Sequence, residues 1–220
     1  MRLIVYLYPS IRYNIVGDLM NIFLNIIFII AGYLVGSIPF ALVIGKTFYN
    51  TDVREKGSGN LGGTNTGRVL GKKAGLIVMI LDGLKAFILV MIAMILNQKL
   101  NLNINPYLIG LACVIGHCYP IFAGFKGGKG VACAAGFVLA LNPLLLIIAL
   151  ILLFLNLKIH HIMSLAVLVT IFILVIICFS VNYFANCKYI MLILFIFLTY
   201  KHKDNIKRIM AKTEHKVTWI

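Results

Sequence analysis

Six stretches of this chain, of between 14 and 27 residues, carry almost no charge. A bilayer core of about 30 Å needs roughly 20 apolar residues of helix to cross it, so these stretches constrain the fold more than any motif does. They run from about Asn21 to Ile44, Ala74 to Leu96, Pro106 to Phe125, Val131 to Leu157, Ile162 to Phe179 and Cys187 to Tyr200. Asn142 and Pro143 interrupt the fourth and divide it into two shorter spans. The expected fold is therefore an all-α integral membrane protein of about seven transmembrane helices. With 62% hydrophobic and 12% charged residues, the chain has no room for a further soluble domain of ordinary size. The reading is one membrane domain over residues 20–220. It is preceded by an extension, residues 1–19, whose apolar run is broken by Pro9, Arg12 and Asp18 and shows no small-residue cleavage site.

The net charge of +14 would suit nucleic acid, but no basic domain interleaved with aromatics stands outside the membrane to bind it. Orientation explains the charge better. Seven crossings put the loop from Lys46 to Lys73, the turn holding Lys126 and Lys129, Lys158 and the C-terminal tail on one side, with fifteen of the twenty lysines and arginines. Arg2, Arg12, Lys99 and Lys188 fall on the other side, and Lys85 lies within a span. The positive-inside rule then places the N-terminus outside and the tail in the cytoplasm.

Three cytoplasmic segments carry chemistry. Lys56 to Lys73 reads KGSGNLGGTNTGRVLGKK. Its glycines let backbone N–H groups turn toward one anion, its hydroxyls and amides add donors, and Arg68 adds charge. No Walker A pattern is present, because Lys72 is followed by Lys73 instead of Ser or Thr. FKGGKG, Phe125 to Gly130, sets two lysines around two glycines, and KHKDNIKR, Lys201 to Arg208, places His202 and Asn205 on one face if the last helix continues. Each segment alone also suits a solvated interfacial loop. Inside the second span, Asp82 and Lys85 read as a structural ion pair. The five cysteines lack metal-ligand spacing and read as core residues. With six acidic residues in the chain, a multi-carboxylate metal site is not expected, and there is no HxxxxD, GxSxG or HExxH.

GSIPF (36–40), GSGNLGGTN with GRVLGKKAG, LDGLKA (81–86), GHCYPIFAGFKGGKGVA (116–132) and HKDNIKR stand in the order and spacing of one family. Over about Gly32 to His215 the chain resembles the acyl-phosphate-dependent glycerol-3-phosphate acyltransferases of bacteria. That resemblance implies a multi-pass enzyme of the bacterial inner membrane whose site faces the cytoplasm. It would transfer an acyl group from acyl phosphate to the 1-hydroxyl of sn-glycerol 3-phosphate, releasing lysophosphatidic acid and phosphate, with no cofactor and no metal. It also implies roles. Ser58, Asn60, Thr64 and Arg68 would bind phosphate, with Gly57, Gly59, Gly62 and Gly63 opening the backbone. Lys129 would bridge phosphates, His202 and Asn205 would position glycerol 3-phosphate, and Ser164 would lie near the site. The chain departs from the pattern at Leu61, Gly63, Ala86 and Asp204, where the family more often has Pro, Ala, Gly and Glu. Two other readings use the same features: a transporter of small phosphorylated anions, and a scaffold whose basic face binds anionic lipid.

Overall fold

The computed structural model describes residues 9–217, and among these every regular element is helical. The α-helices are α1 (Pro9–Gly36), α2 (Phe40–Tyr49), α3 (Gly63–Leu70), α4 (Lys72–Leu100), α5 (Pro106–Cys118), α6 (Val131–Leu141), α7 (Pro143–His160), α8 (Met163–Ser180), α9 (Lys188–Lys201) and α10 (Lys203–Met210). Among the described residues, six runs are long and apolar enough to cross a membrane: Gly17–Tyr49, Lys72–Leu100, Pro106–Ala123, Pro143–His160, Met163–Ser180 and Asn182–Lys201. The seventh expected span, α6, is an apolar helix of 11 residues, about 16 Å at 1.5 Å per residue. Of the expected N-terminal extension, residues 1–8 lie outside the described residues. From Pro9 the backbone is helical and passes residue 19 without a break.

Small residues let the helices approach. Gly32 and Gly36, four apart on α1, lie against the backbone of Ile109 and Cys113 on α5, and Gly116 of α5 meets the Tyr33 carbonyl. On the other side of the bundle, Gly83 of α4 and Gly136 of α6 touch backbone to backbone. Gly110 leaves room for the ring of Phe137, which is fully buried where α5 and α6 cross. Outward-facing positions are large and apolar, for example Ile147, Leu150, Ile151 and Phe154 on α7. Such a surface is stable in lipid and not in water.

The two ends of the bundle are built differently. At the end holding the NLNIN turn, asparagines close the polar groups. Asn25 bonds Asn103 and Asn105, Asn97 bonds Ile104 twice, and Asn105 and Asn142 cap α5 and α7, each followed by Pro at the first helical position. At the opposite end α3 and α6 begin at Gly62 and Gly130 with no side-chain cap, so their first-turn N–H groups have no side chain to bond.

Candidate active site

Gly57 and Gly59 have φ of +63° and +68°, which L side chains rarely adopt, and they turn the chain from Lys56 into α3. Asn65 holds that turn from below. It is buried, its Oδ1 accepts from the Ser58 N–H at 2.8 Å, and its Nδ2 donates to the Val53 and Lys56 carbonyls. A Cβ on Gly57 would collide with Asn65 Oδ1. Ser58 is exposed above this frame, and Thr64 and Arg68 are exposed on α3, with Arg68 in its last turn. The segment expected to be wholly loop thus contains a two-turn helix whose uncapped N-terminus follows Gly62, an arrangement that suits an anion.

Gly63 also has a packing role. It is buried against Met79 and the Gly75 carbonyl, so the missing side chain lets α3 lie on α4. Arg54, one of the cations around the motif, is engaged by Asp52, with Nε to Oδ1 at 3.0 Å and Nη2 to Oδ2 at 2.7 Å.

The lysine loop joins this frame through Asn60, whose Nδ2 donates to the Gly127 carbonyl at 3.4 Å. Its Lys129 is half-buried just before α6. Burial pushes the Lys129 ammonium down to about 8; Glu214 opposes the shift, and Arg208 and Arg68 add to it. Cations from all three segments therefore share one field.

The third segment is a kinked continuation of the last span. His202, between α9 and α10, is buried, and its Nδ1 lies 2.7 Å from the Leu198 carbonyl. Only a donor satisfies that oxygen, so the proton sits on Nδ1 and Nε2 is an acceptor. Burial pushes its pKa down to about 4 despite that bond, and the ring is neutral near pH 7. Asn205 is buried on the same face, as expected for a continued helix.

Glu214 was not anticipated. Its carboxylate accepts from Asn205 Nδ2 at 2.7 Å, Arg208 Nε at 2.7 Å and Ser164 Oγ at 3.2 Å, and so gathers α8, α10 and the tail. Burial disfavours this carboxylate, but the bonds from Asn205 and Arg208 and the Arg208 charge outweigh it and hold its pKa below the ordinary value. Asp204, where the family more often has Glu, is exposed. One signal pointed to Glu214: it is one of only six acids in a strongly basic chain. Asn65 carried none beyond its place in the motif. The tail is further tied by Val217 N–H to the His161 carbonyl at 2.7 Å.

Beside these loops an apolar cleft runs between α6, α7, α8 and α9, with Val131, Ala134, Leu153, Val167, Leu194 and Leu198 among its walls. Val131 follows Lys129 by two residues and Leu198 supplies the carbonyl that holds His202. A cationic basin with hydroxyl and amide donors therefore stands next to a slot for hydrocarbon. Among the described residues no cluster of three or more metal-binding side chains occurs.

Residues 26–212 match the glycerol-3-phosphate acyltransferase family. A glycerol-3-phosphate acyltransferase of Bacillus cytotoxicus is 46% identical over 197 residues, spanning 90% of this chain and 97% of its own. One from Bacillus subtilis is 43% identical over 195 residues, spanning 87% and 97%. The fold is also that of PlsY (YgiH), an integral membrane glycerol 3-phosphate acyltransferase solved in its glycerol 3-phosphate form. The TM-score is 0.80 at 36% identity, over 88% of this chain and 96% of that one. Its lysophosphatidic acid form gives 0.78 at 35% identity.

Proposed function

Because the chain belongs to the glycerol-3-phosphate acyltransferase family, we propose that it transfers an acyl group from acyl phosphate to the 1-hydroxyl of sn-glycerol 3-phosphate. The products are lysophosphatidic acid and inorganic phosphate. The observation that carries this reading is the junction of an apolar cleft with a basin of anion donors drawn from three distant segments. One substrate of this reaction has a hydrocarbon tail and both have phosphates, so each half of the junction has an occupant.

In this reading Ser58, Asn60, Thr64, Arg68 and the first-turn N–H groups after Gly62 bind phosphate. The positive φ of Gly57 and Gly59 shapes the turn that aims them. Lys129 lies between the two phosphates. His202, Asn205 and Ser164 hold the glycerol end. An acyl phosphate is a mixed anhydride, so the reaction needs no covalent enzyme intermediate. Oxygen O1 of the glycerol attacks the carbonyl carbon, the bond from that carbon to the bridging phosphate oxygen breaks, and phosphate departs against Lys129 and Arg68. The hydroxyl proton goes to a phosphate oxygen. A phosphate with a second pKa near 6 is a stronger base than an imidazole held at about 4, so His202 serves as an acceptor that aligns the hydroxyl.

The same reading sets the membrane arrangement: seven crossings with α6 as the short one, the N-terminus outside, and the site at the cytoplasmic face of the inner membrane. Residues 20–220 form the working domain. Deletion of residues 1–18 should leave specific activity intact, and a folded but inactive truncation would overturn that boundary. The decisive assay supplies purified protein with labelled glycerol 3-phosphate and palmitoyl phosphate. Lysophosphatidic acid and phosphate should appear in equal amounts; no lysophosphatidic acid, with labelled glycerol 3-phosphate instead entering vesicles, would favour the transporter reading.

A further inference from the structure

One cluster of ionisable groups lies apart from the loops that face the substrates. Lys85 on α4 is buried, and its ammonium has three polar neighbours: Asp82 Oδ1 at 2.8 Å, His117 Nδ1 at 3.0 Å and the Ile38 carbonyl at 3.2 Å. The Ile38 carbonyl lies in the break before Pro39, where it also accepts from the Phe40 N–H at 3.2 Å. Asp82 and His117 are buried as well, and Asp82 Oδ2 has no partner among the described residues. A simple ion pair between Asp82 and Lys85 would need no histidine. His117 Nδ1 lies 3.0 Å from Lys85 Nζ and 3.2 Å from Asp82 Oδ1, and its Nε2 is at the edge turned toward the lysine loop.

That edge is in contact. A Cβ placed on Gly128 would overlap His117 Nε2, and one on Gly127 would overlap the His117 carbonyl. The Gly128 N–H donates to the same carbonyl at 3.1 Å, and Asn60 holds the Gly127 carbonyl from the glycine-rich side. The lysine loop is therefore seated on the ring and backbone of His117, and the ring is fixed by Lys85 and Asp82.

We propose that Asp82, Lys85 and His117 form a buried brace that sets the height of the lysine loop opposite the glycine-rich loop, and that they are positioning residues for Lys129. The inference rests on the acyl-transfer reading. A displacement of Lys129 by about 1 Å is expected to cost on the order of 100-fold in rate, because the charge it stabilises develops at one place.

His117→Asn tests this without stranding Lys85 or Asp82, since the Asn side-chain amide can replace Nδ1 as their polar neighbour while the ring atoms against Gly128 are lost. Turnover should fall on the order of 100-fold, with KM for acyl phosphate changed by no more than about threefold and thermal unfolding unchanged. Gly128→Ala alone should be inactive, because its methyl group meets the ring. The double variant should be more active than Gly128→Ala, because the methyl group then fits the space the ring leaves. Replacing the pair by apolar side chains of similar size, Asp82→Leu with Lys85→Met, should lower turnover in a folded protein in the same way. Wild-type protein that makes no lysophosphatidic acid would refute the acyl-transfer reading itself. Active wild type with His117→Asn at normal turnover, or with the two substitutions acting additively, would refute the brace alone.

Discussion

Lys129→Met should make the protein more stable and nearly inactive. Burial lowers the Lys129 pKa from 10.5 to about 8. At 1.36 kcal/mol per unit, this corresponds to roughly 3 kcal/mol of unfavourable charge burial near pH 7. Between pH 8 and 10.5 the unfolded chain carries a proton on this lysine that the folded chain has lost, so wild-type stability rises with pH across that window. Below pH 8 both states are protonated and the full cost remains. Methionine has a similar length and no charge, so the variant should gain up to about 3 kcal/mol at pH 7 and lose that pH dependence. Activity should fall by 10²- to 10³-fold, the usual cost of removing one donor from developing negative charge. All five cysteines are buried, so a thiol-reactive dye reports unfolding in detergent directly. Glycerol 3-phosphate should raise the wild-type midpoint and not that of the variant. A variant that unfolds more easily at pH 7, or one that keeps its turnover, would refute the reasoning. For wild type, kcat/KM should decline above about pH 8, as free enzyme loses the ammonium that attracts phosphate.

The other expectations use different measurements. His202→Gln should retain more turnover than His202→Ala, because the glutamine carbonyl can replace the Nε2 acceptor, and no step in kcat attributable to His202 should appear between pH 5 and 7. If His202→Gln and His202→Ala prove equally inactive, the aligning role is wrong. Glu214→Ala leaves Ser164, Asn205 and Arg208 without their shared acceptor and should raise KM for glycerol 3-phosphate and lower the unfolding midpoint, each lost buried bond costing about 1 kcal/mol or more. Gly136→Ala places a methyl group on the Gly83 carbonyl and should destabilise the α4–α6 contact by about 1–3 kcal/mol, seen as lower yield and midpoint at normal specific activity of the surviving protein.

What could be read from the sequence follows the distance over which each interaction acts. Helix positions were legible because apolar length and proline act locally: the division at Asn142 and Pro143 falls between α6 and α7. The turn in the glycine-rich motif was legible for the same reason, since Gly57 and Gly59, whose φ is positive, are near neighbours in the chain. Helix α3 was not. Its eight residues begin at a glycine and include Asn65 and two threonines, so propensity argues against it. It is held by the contact of Gly63 with α4 and by the side chain of Asn65, which lies under the turn.

The parts of the site that escaped sequence reading are those where the chain returns to itself over long separations. Asn60 and Gly127 are 67 residues apart, Lys85 and His117 are 32 apart, and Ser164 and Glu214 are 50 apart. No local pattern encodes such pairs, and single residues gave only faint hints, such as a histidine near the membrane interface or an acid in a basic tail. These pairs also decide the chemistry. Three cationic loops apart in space would bind anions weakly and without selection. Tied by Asn60, seated on His117 and gathered by Glu214, they hold Lys129 in a partly buried position where its charge is costly. The low Lys129 pKa, the buried brace and the unanticipated carboxylate thus describe one property: long-range contacts, not local pattern, set where the cations of the three segments stand.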